Sequence, residues 1–284
     1  MRVKHWIKNI LIVLPAFFGK ILTDFGALAN LFTGFMVFSL CSSAIYIMND
    51  ISDIENDRNH PVKCKRPLAS GDVSKTEAVI LLIILLIVAA VLNLILCGSN
   101  IYSFIPLVYI FVNLMYSFSL KNKPVIDIVL LVSGFFLRVL YGSAITGVRI
   151  SGLLYLTVIS LSMFFAYGKR RNEKKSCGTS SRKVLQFYSE QYLNSNLYIY
   201  MGLFIVFYSI WSLNADENGV LICTVPLAMI MMMRYVYTLE VDDHGNPVDM
   251  ILHDKMLLLL GAIYAVFITV LIYFPEVVHE YLRF

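Results

Sequence analysis

The stretch Asn49-Asp50-Ile51-Ser52-Asp53-Ile54-Glu55-Asn56-Asp57-Arg58-Asn59-His60-Pro61 sets a dense group of carboxylates directly after the apolar run FTGFMVFSLCSSAIYIM. Asn49, Asp53 and Asp57 follow one another at i, i+4 and i+8, with Asp50 alongside, so a helix that continues past Met48 places all four on one face. Carboxylates gathered in this way repel one another unless a cation sits among them. Hard oxygen ligands suit Mg²⁺, which keeps part of its water and shares itself with a substrate's phosphates. Asn49, Asp50, Asp53 and Asp57 are therefore the expected metal ligands, with the three aspartates counted as catalytic. The plain alternative is a solvated acidic loop. The helical spacing, the abutting apolar segment and the cations that follow favour the metal.

Those cations are Lys63, Lys65 and Arg66, in a turn-rich stretch from Asn59 to Leu68. A diphosphate bound to Mg²⁺ leaves further negative oxygens that Lys and Arg can neutralise. Contact with anionic lipid headgroups is the competing explanation. A second basic run is Tyr167-Gly168-Lys169-Arg170-Arg171-Asn172-Glu173-Lys174-Lys175. Lys169 and Glu173, like Arg170 and Lys174, are i, i+4 pairs on a helix, which sets two cationic faces around one carboxylate. Lys169, Arg170 and Glu173 are expected to form a phosphate-binding wall opposite the acidic cluster, with Lys169 counted as catalytic. Arg138, inside the apolar stretch SGFFLRVLYGSA, is an intramembrane cation and hence a candidate site residue; pairing with Asp127 or snorkelling would explain it structurally. Lys8, with Arg2, Lys4 and Trp6, suits an interfacial segment beside a lipid headgroup. The polar loop Asp242 to Lys255 is expected near the mouth of the site.

The elements that must position these residues are membrane helices. The chain has 284 residues, of which 58% are hydrophobic and 15% charged, and its mean hydropathy is +0.74. Ordinary soluble domains carry about a quarter charged residues. Nine apolar runs approach the roughly 20 residues that cross a bilayer as a helix, at 7–19, 27–48, 76–97, 100–119, 125–146, 151–168, 197–213, 219–238 and 256–274. None alternates as barrel strands do. The expected fold is therefore all-α, a polytopic transmembrane helical bundle of nine helices in one domain spanning 1–284. The first run is short, and Pro15 bends it, so it crosses at a tilt or only in part. It ends in Gly19-Lys20 and another apolar run follows, which argues against a cleaved leader. The five cysteines show no paired or metal-ligand spacing, so neither disulfides nor zinc is expected.

Charge sorts the connections. With the N-terminus on one side, 19 of the 23 Lys and Arg residues fall on that same side, which the positive-inside rule makes cytoplasmic. The long polar connections, roughly 49–75, 169–196 and 239–255, are on that side too. Long loops on a helical scaffold are where function concentrates, so the chemistry is expected to face the cytoplasm from the inner or plasma membrane.

The Asn49-Asp50-x-x-Asp53-x-x-x-Asp57 pattern resembles the first signature of the UbiA-type intramembrane prenyltransferase superfamily. Those enzymes are all-helical, with nine transmembrane segments and a Mg²⁺-diphosphate site. Usual members carry a second Asp-x-x-x-Asp signature after the sixth helix, where this chain reads Gly168-Lys169-Arg170-Arg171-Asn172-Glu173. That departure resembles the decaprenyl-phosphate phosphoribosyltransferase branch. So do HWIKNILIVLP, NDISDIENDRNHPVKCKRPLASG, YSFSLKNKPVIDIVLLVSGFFLRVLYGSAITG, GKRRNE, RKVLQFYSEQYL and GNPVDMILHDK.

The resemblance implies Mg²⁺ as cofactor, phosphoribosyl diphosphate as donor and a polyprenyl phosphate as acceptor. Membrane lipids are the other expected partners, with no nucleic acid; a homo-oligomer is compatible with the sequence. Phosphoribosyl transfer brings a 5-phosphate, a 1-diphosphate and a lipid phosphate together, and such charges approach only with cations between them. Lys169, Arg170 and Glu173 in place of a second acidic motif supply them. The runner-up is prenyl transfer from a polyprenyl diphosphate to an aromatic or other small acceptor. A transporter for phosphorylated solutes is the remaining class, and it would place ionisable residues or broken helices at midmembrane.

Overall fold

Asp24 accepts a hydrogen bond from the Gly26 amide at 2.9 Å, satisfying one of the donors that every helix start leaves open. The first long helix, α1 (Phe25–Ser52), begins there. In this computed structural model the described residues are 3–58, 63–177, 182–215, 219–241 and 247–274, and they form helices and connecting turns. After α1 come α2 (Lys75–Cys97), α3 (Ile105–Phe118), α4 (Ile126–Thr146), α5 (Gly152–Cys177), α6 (Glu190–Asn214), α7 (Val225–Val241) and α8 (Lys255–Tyr273). Local signals fix their ends. Ser74 and Glu77 form a reciprocal capping box at the start of α2, and Ser189 caps α6 by accepting from the Tyr192 amide.

Nine membrane-crossing segments were expected; among the described residues eight helices are long and apolar enough. The difference lies at the N-terminus. Val3–Val13 is a 3₁₀ helix, followed by one α-turn, Leu14–Phe18, with Pro15 in its first positions. The apolar part, Trp6–Phe18, is shorter than a full span. A 3₁₀ helix rises about 2.0 Å per residue against 1.5 Å for an α-helix, so this segment reaches deeper than its residue count implies.

The chain divides into two compact units, Met1–Leu120 with Ser133–Arg149, and Lys121–Val132 with Ile150–Phe284. In the first, the N-terminal segment, α1, α3 and most of α4 share a core of Ile12, Val37, Phe38, Cys41, Tyr109, Tyr141 and Ile145. Close backbone approach is built into it. A Cβ added to Gly142 would lie 2.0 Å from the Ile12 carbonyl oxygen, so only glycine lets the 3₁₀ segment seat on α4. Side-chain bonds fix the same segment to α1: Asn9 donates to Ser39 at 3.0 Å and Trp6 to Ser43 at 3.1 Å. The outward row on α2, including Ile80, Ile84, Ile87, Val91 and Ile95, stays exposed, as suits a face turned to lipid in a multi-pass integral membrane protein.

In the second unit α5 packs along α6, and Gly168 sits within contact distance of Leu197, Tyr235 and Leu239. Asp254 caps α8 and accepts hydrogen bonds from Arg234 at 2.8 Å and Thr238 at 2.6 Å. Burial pushes its carboxyl up, but the bonds from Thr238, Arg234 and the Leu257 and Met256 amides outweigh burial and hold it at about 2. A carboxylate depressed in the folded state adds stability that is complete above its unfolded value and is lost as pH falls through the folded one. Thermal unfolding in detergent between pH 5 and 2 should therefore show a loss of midpoint below about pH 4 that Asp254→Asn reduces. An unchanged slope in the variant would refute the assignment.

Candidate active site

The acidic cluster sits where α1 ends. Ser52 closes the helix, Asp53 adopts φ −103° and ψ 10°, and a short helix, Ile54–Arg58, follows. The break does not destroy the spacing. The Asp53 amide bonds the Asn49 carbonyl at 3.0 Å and the Asp57 amide bonds the Asp53 carbonyl at 2.8 Å, so the i, i+4 stacking expected from the sequence continues across it. Asp57 is buried, whereas Asn49, Asp50 and Asp53 are half-buried.

Arg66 was expected to meet phosphate. Its guanidinium instead bridges two of the aspartates, with Nη1 3.1 Å from Asp50 Oδ1 and 2.5 Å from Asp57 Oδ2. Pro67 restricts the preceding residue to extended geometry, which Arg66 adopts at φ −70° and ψ 141°. The side chain can thereby turn back onto α1. Among the described residues no three His, Cys, Asp or Glu side chains converge closely enough to bind a metal. Asp50 and Asp57 do converge, and they converge on positive charge. Hard carboxylate oxygens arranged around one cation fit Mg²⁺ in donor type. Asp53 makes no ion pair among the described residues. Of the remaining candidates, Lys65 is exposed and Lys8 half-buried. The backbone of Lys63 lies in a 3₁₀ turn, Lys63–Lys65, while its side chain, Asn59 to Val62 with His60, and Asp242 to Gly245 with Asn246 lie outside the described residues.

The basic run at the end of α5 is tied down by residues of its own unit. Arg171 donates to Asn194 Oδ1 at 2.6 Å and to the Leu239 carbonyl at 3.2 Å; Lys175 donates to the Glu240 carbonyl at 2.7 Å, and Lys174 to the Tyr188 carbonyl. Arg170 departs from expectation. It was placed on a phosphate-binding wall, but it is 1% exposed, with Nε 2.7 Å from Asp127 Oδ2 and Nη1 2.6 Å from Glu173 Oε2. Its charge is spent inside the protein. Glu173 also faces Arg182 at 3.4 Å and Lys169 Nζ at 4.0 Å. Lys169 and Arg182, 22% and 30% exposed, are the cations of this cluster with surface to offer an anion.

Arg138 is buried in a cage of neutral acceptors: Asn9 Oδ1 at 2.7 Å, the Gly134 carbonyl at 2.6 Å and Tyr109 Oη at 2.9 Å. The Tyr109 ring adds a cation–π contact with its centroid 4.9 Å away. The structure thus ties the N-terminal segment to α3 and α4 through this guanidinium. The pairing with Asp127 that could have explained Arg138 is not made; Asp127 belongs to Arg170.

Asp127, Tyr188 and Arg182 were not among the site residues read from the sequence. A signal for Asp127 was present, since a carboxylate just inside an apolar helix demands a buried cation. Arg182 and Tyr188 carry no such mark, because their approach to Glu173 and Asp127 depends on how the connection between α5 and α6 folds back.

The sequence profile of the UbiA prenyltransferase family matches residues 12–253. The decaprenyl-phosphate phosphoribosyltransferase of Corynebacterium glutamicum is 30% identical over 284 residues, covering 96% of this chain and 85% of that one. The enzyme of the same name from Mycolicibacterium smegmatis is 30% identical over 293 residues, covering 96% and 91%. Among solved structures, a UbiA homolog from Archaeoglobus fulgidus bound to GPP and Mg²⁺ superposes with a TM-score of 0.72 at 19% identity, covering 94% of each chain.

Proposed function

Because this chain belongs to the UbiA prenyltransferase family, we propose that it works as one transferase domain moving 5-phosphoribosyl from phosphoribosyl diphosphate to a polyprenyl phosphate, with release of diphosphate. The observation that carries this reading is the cluster at the end of α5, where the part-exposed cations Lys169 and Arg182 flank Glu173, with Arg170 behind it neutralised by Asp127. Such a cluster suits a reaction with three phosphate groups, and the similarity to two phosphoribosyltransferases points the same way.

Asn49, Asp50, Asp53 and Asp57 would hold Mg²⁺. Bound there, the ion neutralises the donor's diphosphate and makes it a better leaving group. Arg66, now shared between Asp50 and Asp57, is placed to exchange a carboxylate for a phosphate oxygen, with Lys63 and Lys65 nearby in sequence. Lys169 and Arg182 hold phosphate charge in place, and Glu173 keeps both cations oriented. An oxygen of the lipid phosphate forms the new bond to ribose C1 while the C1–oxygen bond to diphosphate breaks, the bonding pair leaving with the diphosphate. A phosphate monoester with second pKa near 6 is already largely ionised at neutral pH, so no strong general base is required. Positioning and charge stabilisation supply the acceleration. The predominance of basic residues on one side of the membrane supports a site open to the cytoplasm, and the acceptor chain would lie between helices, in contact with lipid.

The test is an assay in reconstituted membranes with labelled phosphoribosyl diphosphate and polyprenyl phosphate. Label should enter lipid only with Mg²⁺ present, and chelation should stop it. Prenylation of an aromatic acid without lipid labelling would assign the chain to prenyl transfer instead.

A further inference from the structure

Asp127 is fully buried at the start of α4, and both its oxygens are engaged. Oδ2 accepts from Arg170 Nε at 2.7 Å, and Oδ1 accepts from the Tyr188 hydroxyl at 2.6 Å. Tyr188 Oη in turn accepts from the Val125 amide at 2.6 Å. Val125 has φ 68°, a left-handed conformation that a β-branched residue rarely adopts and that persists only where surrounding contacts impose it. The strained turn and its tyrosine clamp deliver Asp127 to Arg170. Burial, and then the bond to Asp127, push the Tyr188 phenol up, so it stays a donor at neutral pH.

From Asp127 the contacts run outward in alternating charge. Arg170 uses Nε for Asp127 and Nη1 for Glu173 Oε2, while Glu173 Oε1 faces Lys169 Nζ at 4.0 Å. A guanidinium is a rigid planar fork, so fixing Nε fixes where Nη1 points. We infer that Asp127 is a positioning residue: acting through Arg170 and Glu173, it sets the place of Lys169 and thereby the affinity of this cluster for diphosphate. The inference rests on the phosphoribosyl-transfer reading for its biological meaning, but its physical content is diphosphate affinity.

Two accounts of Asp127 differ in sign. If it acted only through its charge, Asp127→Asn would remove a negative group near a diphosphate site and tighten binding. If it positions Lys169, the same change loosens Arg170 and Glu173 and weakens binding. Inorganic diphosphate titrated calorimetrically, with Mg²⁺, into the full chain in lipid nanodiscs separates them. We expect Asp127→Asn to bind about tenfold more weakly and the effect to disappear in a Lys169→Ala background, the non-additivity expected of residues acting in series. Tyr188→Phe, which keeps every charge, should weaken binding about threefold and decides the matter should the Asp127 variant not fold. Unchanged or tighter binding, no binding by the wild-type chain, or an equal loss in the Lys169→Ala background would overturn the inference. A wild-type chain that binds diphosphate with this pattern yet labels no lipid would sink the assigned reaction alone.

Discussion

Asp53→Ala is expected to lower kcat/KM for phosphoribosyl transfer by about 10²–10³-fold, the range seen when one group stabilising transition-state charge is removed. Asp50 and Asp57 share the Arg66 guanidinium, so either can lean on a partner already present. Asp53 makes no such pair among the described residues, and it sits at the break between α1 and the following short helix, half-buried. Its carboxylate is thus the member of the group most dependent on an added cation. The expected signature is a Mg²⁺ requirement shifted to much higher concentration, with a thermal midpoint in metal-free buffer close to wild type. Full activity at ordinary Mg²⁺ would remove Asp53 from the site.

Arg170→Met should destabilise the protein by about 3–5 kcal/mol, because it leaves the buried Asp127 without its counter-charge. The estimate follows from geometry: both side chains of the pair are at most 1% exposed, so neither water nor another cation replaces the lost partner. Removing both charges, as Asp127→Leu with Arg170→Met, should recover more than half of that loss, since a buried pair costs desolvation as well as contributing attraction. Unfolding of purified protein in mixed micelles measures both. A single variant as stable as wild type would show that the pair is hydrated and the burial argument wrong.

The all-helical class and the places of the long helices were legible because membrane spans announce themselves by length and hydropathy. The acidic cluster was legible because spacing of four residues survives a helix break when the amide bonds continue through it, as from Asn49 to Asp57. Arg170 was misread for a physical reason. A sequence shows that a cation lies at a helix end but not which way it turns, and the deciding partner, Asp127, is 43 residues away. The N-terminal run was counted as the ninth segment, short and crossing at a tilt or only in part; its composition does not distinguish an α-helix from the 3₁₀ form that Val3–Val13 takes.

That N-terminal segment also carries a constraint on biosynthesis. Asn9 bonds Arg138 across 129 positions of sequence, and Ile12 lies against Gly142, so the segment, which can meet Ser39 and Ser43 once α1 emerges, cannot complete its docking until α4 has left the ribosome. At about 5–20 residues per second the delay is on the order of 10 s. Through that interval Asn9 lacks Arg138 and Ile12 lacks Gly142, so a segment translated before α1 completes its packing only after α4 is made.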